Sequence, residues 1–70
     1  MDYTIIIEKT WVINNPRYRD GLIITKTYLK SDLTGKKIPN SVIYSVDEFD
    51  GDNINCFKTF KEAKEFARNF

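Results

Sequence analysis

Histidine is absent from this 70-residue chain, and cysteine occurs once, at Cys56. Without histidine the commonest general base and the commonest transition-metal ligand are both missing. Neither a Ser/His nor a Cys/His nucleophile pair can be assembled, and a Cys/His zinc site cannot form within one chain. A single cysteine excludes an internal disulfide and fits a reducing compartment. Long apolar runs are missing too. Ile5-Ile6-Ile7 and Leu22-Ile23-Ile24 fall far short of the roughly 18 residues a membrane-spanning helix needs, and the start does not read as a secretion signal. The expectation is a cytoplasmic protein without a membrane segment or cofactor, and not an enzyme.

What is present is ordinary globular composition, 41% hydrophobic and 30% charged, in a length that supports a single domain over 1–70. Phe, Tyr, Ile, Asn and Lys outnumber Gly, Ala, Arg and Pro, the bias of an AT-rich genome such as that of a low-GC bacterium or its phage.

Tyr3 to Ile13 alternates with period two and is rich in β-branched residues, which predicts a long first strand. Unbroken alternation places Tyr3, Ile5, Ile7, Trp11 and Ile13 on one side, and Thr4, Ile6, Glu8, Thr10 and Val12 on the other. Asn14 to Gly21 reads as a loop of about eight residues, with Asp20-Gly21 as a turn signal. Strands are expected over Leu22–Lys30, Ser41–Phe49 and Ile54–Phe57, joined by hairpins at Asp32/Gly35 and Asp50-Gly51. Thr59 with Glu62 three residues later forms a capping-box signature. Phe60, Ala63, Phe66, Ala67 and Phe70 then recur at helical spacing. A helix this short is marginal alone and must dock on the sheet. The fold class is therefore α+β, a four-stranded antiparallel meander with one C-terminal helix packed on one face.

One helix covers one face of a sheet, yet apolar residues occur on both sides of the first three strands. Either the sheet curls into a small barrel, or an apolar face or edge is left for a second chain. Cys56 is expected to point into the core.

Charge is sorted along the chain. Residues 1–40 carry +3 (seven basic, four acidic), residues 41–57 carry −4, and residues 58–70 carry +2 (four basic, two acidic). In a meander Asp47, Glu48, Asp50 and Asp52 share one end with Arg17, Arg19 and Asp20. Lys30, Lys36, Lys37, Lys58 and Lys61 gather at the other, a candidate rim for an acidic protein or nucleic acid. Trp11, Tyr28 and Tyr44 are candidates for base stacking, although a net charge of +1 is small for a dedicated nucleic-acid binder. The acidic stretch Asp47–Asn53 fits a calcium loop less well than a hairpin turn, because Asn53 stands where such a loop needs glycine. Tyr18 flanked by Arg17 and Arg19 has the composition of an interface anchor. The candidate partner-binding residues are thus Arg17, Tyr18, Arg19, Lys30, Lys36, Lys37, Asp47, Asp50 and Asp52.

The segment Y-S-V-D-x-F-D-G-D-x-I-x-x-F-K-T-F-K-E-A-K-E-F-A, residues 44–67, resembles small phage and mobile-element accessory proteins of the anti-defence, anti-CRISPR-like type. The resemblance implies an inhibitor that occupies a surface of a host protein in the host cytoplasm. A homodimer through the first strand or the open sheet face, and a small RNA- or DNA-binding domain, are the alternatives.

Overall fold

The structure is a computed structural model describing residues 2–70. Strands β1 (Tyr3–Asn15), β2 (Tyr18–Ser31), β3 (Ile43–Asp47) and β4 (Asn53–Phe57) form one antiparallel sheet in the order β1-β2-β3-β4, followed by helix α1 (Phe60–Asn69). The sheet is open, so the barrel alternative does not apply. Among the described residues no helix is long and apolar enough to cross a membrane.

The first connection is tighter than its composition suggests. β1 and β2 run almost to the turn, leaving only Pro16 and Arg17 between them. The Asn15 side chain makes this closure workable, because its Oδ1 accepts the Arg17 N–H at 2.8 Å. Asp20-Gly21 is therefore not a turn but part of β2. Gly21 has φ +79°, and a Cβ there would lie 2.6 Å from the Ile13 carbonyl oxygen, so only glycine lets the strands approach here.

Helix α1 begins as its sequence signature indicates. The Thr59 Oγ1 accepts the Glu62 N–H at 3.3 Å and donates to the Glu62 carboxylate at 2.9 Å. Its apolar stripe faces the sheet. Ala63 and Ala67 are fully buried with Leu22, Ile24 and Val46, and their small side chains let the helix backbone settle close to the strands. Aromatic rings surround this centre: Phe60 lies 4.5 Å from Trp11 and 6.0 Å from Tyr44, while Phe66 lies 5.1 Å from Phe57. The C-terminal end of the helix sits over the β1–β2 turn, where Tyr18 stacks on Phe70 at 6.1 Å.

Two β-bulges decide which residues face the helix. In the β1–β2 ladder Ile7 pairs with Thr27 and Lys9 with Lys26, so Glu8 is an extra residue. The alternation is reset there. Trp11 and Ile13, opposite Ile24 and Leu22, face the helix, whereas Tyr3, Ile5 and Ile7 join Thr10 and Val12 on the outer face. The unbroken alternation expected for β1 is thus corrected on the N-terminal side of Glu8. The second bulge lies in β4, where the register shifts between Val46 and Asp47. It lets Ile54 and Phe57 both reach the core while Cys56, opposite Ser45, is exposed on the outer face. The expectation of a core-facing Cys56 is therefore corrected.

The molecule measures 44 × 22 × 15 Å. A ten-residue helix spans only about 15 Å, and with Phe60 packed at Trp11 and Tyr44 it cannot reach the half of the β1–β2 ribbon running from Lys9 to Tyr3 and from Lys26 to Ser31. That half overhangs the core.

Asn15 is the buried polar residue of this core, and it holds the helix to the turn by donating through Nδ2 to the Ala67 carbonyl at 2.6 Å. Replacing it by alanine strips both that carbonyl and the Arg17 N–H of their partner. Asn15→Ala is expected to cost about 2 kcal/mol, read in a thermal melt as a fall of roughly 10 °C for a domain of this size. A change within the error of the melt would show that the clamp contributes nothing.

Candidate functional site

The outer face of the sheet carries no covering layer among the described residues, and its side chains follow from the register. One row crosses all four strands as Thr10, Thr25, Ser45 and Cys56. On its distal side Ile7, Thr27 and Ile43 form a second row, with Ile5 beside Leu29 beyond it. On its proximal side Val12, Ile23 and Asp47 form a third. Ile5 is 62% exposed, Ile7 66%, Val12 60% and Ile43 45%, values that belong to side chains awaiting cover rather than to a finished core. None of the residues in these rows is a lysine or arginine.

The helix-side face of the overhang has the opposite character. Lys9 lies over the Trp11 ring at 5.1 Å, Lys26 over Tyr44 at 5.8 Å and Lys37 over Tyr28 at 5.1 Å, and within the neighbouring helix Lys64 lies over Phe60 at 6.0 Å. Glu8, the bulged residue, pairs with Lys26 at 2.5 Å. That bond holds the Glu8 carboxyl below its ordinary range and raises the Lys26 ammonium above its own, in each case mainly through the direct hydrogen bond. Trp11 and Tyr44 do not form an open stacking platform, because Phe60 packs against both.

The residues singled out in the sequence fall into three places. Arg17 sits on the two-residue turn and is used internally: its Nη1 donates to the Phe70 carbonyl at 3.2 Å and its guanidinium lies 5.9 Å from the Phe70 ring. Tyr18 is half-buried against Phe70, and burial first, then the neighbouring Glu48 carboxylate, push its hydroxyl pKa upward. Tyr18, Arg19, Asp20, Glu48, Phe49 and Asp50 line one shallow groove of ≈ 240 Å³, so the β1–β2 and β3–β4 turns do share an end of the sheet. Glu48, Asp50 and Asp52 place their carboxylates within 4.8 Å of one another. The turn itself accounts for this, since the Glu48 N–H donates to the Asp52 carbonyl and the Gly51 N–H to the Glu48 carbonyl. Asp47 is separate, on the outer face, where its Oδ1 accepts from Asn53 Nδ2 at 2.8 Å.

At the other end Lys30 pairs with Lys37 across the return segment that follows β2, and exposed Lys36 lies next to them in the chain. Lys37 and Lys58 line a second groove with Asn40 and Val42. The structure therefore brings Lys30, Lys37 and Lys58 to one end.

Sequence reasoning missed Ile5, Ile7 and Ile43 as one surface, and it missed the pairing of Lys26 with Glu8. A signal existed: Glu8-Lys9 puts two adjacent charges into an alternating apolar strand, where period two allows one polar position at a time. Comparison with protein-family models, curated proteins and solved structures returns no significant match to this chain.

The Glu8–Lys26 pair sets a pH window. A lowered carboxyl contributes stability above its ordinary value of 4.5 that is lost as pH falls through the folded value, and a raised lysine contributes stability lost as pH rises above 10.5. Urea denaturation of Glu8→Gln should therefore show lower stability than the parent chain at neutral pH, with the difference disappearing at pH values below the carboxylate range. A difference that persists unchanged in acid would assign the effect to packing rather than to the ion pair.

Proposed function

We propose that this chain is a non-enzymatic protein-binding module that acts by covering a surface of a larger protein, as a phage-type inhibitor of a host defence protein would. The observation that carries the reading is the uncovered outer face of the sheet, with Ile5, Ile7, Val12 and Ile43 at 45–66% exposure. An apolar surface of this kind, preorganised by main-chain pairing, loses little conformational freedom on docking. The absence of lysine and arginine from its cross-strand rows favours an apolar protein surface over a phosphate backbone, whose affinity comes from lysine and arginine. The hydroxyl row of Thr10, Thr25 and Ser45 between the apolar patches supplies hydrogen bonds that fix orientation on the target. Cytoplasmic action against a host protein, blocking by steric occlusion, agrees with the single free thiol and with the AT-rich residue usage.

A second reading, RNA or DNA on the lysine-bearing side of the overhang, is favoured by the three lysine–aromatic contacts of Lys9, Lys26 and Lys37. It is the weaker of the two. Trp11, Tyr44 and Phe60 are engaged with one another, and Glu8 already holds Lys26.

Two variants on opposite faces separate these readings. Ile43→Lys places a charge on the outer face without touching the core and should leave the melting midpoint within a few degrees of the parent. In pull-down from a bacterial host lysate it should lose a protein partner that the parent chain and Lys26→Glu both retain in stoichiometric amount. Recovery of nucleic acid, lost in Lys26→Glu and weakened steeply by salt, would reject the protein-binding reading.

A further inference from the structure

β1 is a sheet edge 13 residues long, and among the described residues nothing pairs with its free side. Long apolar edges invite another strand unless blocked by proline, short length or inward charge. Which strand fits this edge is determined by the bulge. The main-chain groups of Leu29 are occupied away from β1: its carbonyl accepts the Ile38 N–H at 2.8 Å and its N–H donates to the Ser41 hydroxyl at 3.0 Å. Ser31 likewise accepts from Gly35 and donates to Lys36 on that side. Alternate residues of a strand point their N–H and C=O to opposite edges, so the odd-numbered residues of β2 turn away from β1. Their opposite numbers, Tyr3, Ile5, Ile7, Thr10 and Val12, then turn their own N–H and C=O to the free edge.

This row is spaced by two residues on either side of the bulge and by three across it. A regular strand can match only one half of it, because the other half would be out of register. A second antiparallel copy of β1 carries the same interruption and matches both halves. With a two-fold axis between Glu8 and Lys9, Ile5 meets Val12 and Ile7 meets Thr10 of the other copy as hydrogen-bonded pairs, and their side chains stay on one common face. At the axis Glu8 of one copy stands opposite Lys9 of the other, so unlike charges are opposed there while Glu8 keeps its bond to Lys26 within its own chain. Sliding the pairing by one residue either way opposes Glu8 to Glu8 or Lys9 to Lys9 and sends the apolar row to the wrong face.

We infer that this chain forms a two-fold symmetric dimer by antiparallel β1–β1 pairing, with Ile5 opposite Val12 and Ile7 opposite Thr10. The result is a closed, self-complementary contact that joins two four-stranded sheets into one of eight and fuses the two outer faces into one surface. The inference goes beyond the partner-binding reading and fails separately from it: a monomer that still captures its target would overturn the dimer and leave that reading in place.

Sedimentation equilibrium from micromolar to millimolar chain concentration should show a reversible monomer–dimer equilibrium. Ile7→Pro removes an N–H that points to the free edge, so circular dichroism should show an unchanged fold while dimerisation weakens roughly tenfold or more through lost edge hydrogen bonds. As a test that does not depend on that variant folding, Ile5→Cys and Val12→Cys chains, each carrying Cys56→Ser, are mixed and treated with a short bis-maleimide. Cross-linking between the two different variants should far exceed cross-linking of either with itself. A monomer at all concentrations, a dimer indifferent to a folded Ile7→Pro, or equal self-cross-linking of Ile5→Cys would each overturn the β1–β1 register.

Discussion

A helix of ten residues in a molecule 44 Å long is the constraint on which the rest depends. It can shield one face of the sheet over about a third of that length. Everything apolar outside its footprint stays in contact with water or is covered by another molecule. The chain meets this limit by concentrating its fully buried residues, Leu22, Ile24, Val46, Ala63 and Ala67, directly beneath the helix and closing their perimeter with aromatic rings. Asn15 and Arg17 then tie the helix end to the β1–β2 turn, so the short helix is held at its C-terminal end by polar bonds and at its N-terminal end by Phe60 against Trp11.

The bulge at Glu8 converts that limit into a surface. Without an extra residue, a strand with Trp11 and Ile13 toward the helix would also turn Ile5 and Ile7 to that side, where the helix does not reach. With it, both isoleucines join Val12, Ile23, Leu29 and Ile43 on the opposite face, and the helix side of the overhang carries Ile6 and Tyr28 among lysines. The two faces of one ribbon thus differ in chemistry, apolar and hydroxyl-bearing on one side, basic and aromatic on the other. The Glu8–Lys26 ion pair and the Lys9–Trp11 contact hold the bulge from the helix side. Its position near the middle of β1 is also what makes the free edge complementary to itself.

The meander, its strand order and the docked helix were legible because each rests on a local signal: β-branched alternation, Asp50-Gly51, and Thr59 with Glu62 ahead of a phenylalanine–alanine stripe. The sharing of one end by the acidic turn and Arg19 followed from topology alone. The faces of β1 were not legible from alternation, because a single inserted residue reverses every assignment beyond it and period-two counting has no term for it. Asp20-Gly21 misled for a related reason. Gly21 serves a close approach of two backbones inside a strand, a long-range fact that a turn-forming dipeptide does not disclose. Cys56 was misplaced by the compact size of β4, where a second bulge lets Ile54 and Phe57 both turn inward and leaves the thiol outside. In the candidate site, the lysines of the return segment were found from charge sorting, whereas Lys26 needed the register to place it beside Glu8.

The most direct check is the solvent exposure of individual methyl groups, measured by NMR as line broadening from a water-soluble paramagnetic agent. The account predicts strong broadening of the Ile5, Ile7, Val12 and Ile43 methyls and protection of those of Leu22, Ile24 and Val46. Protection of Ile5 and Ile7 to the same degree as Ile24, in chain dilute enough to be monomeric, would contradict it, since it would place both isoleucines under cover that a single helix cannot supply.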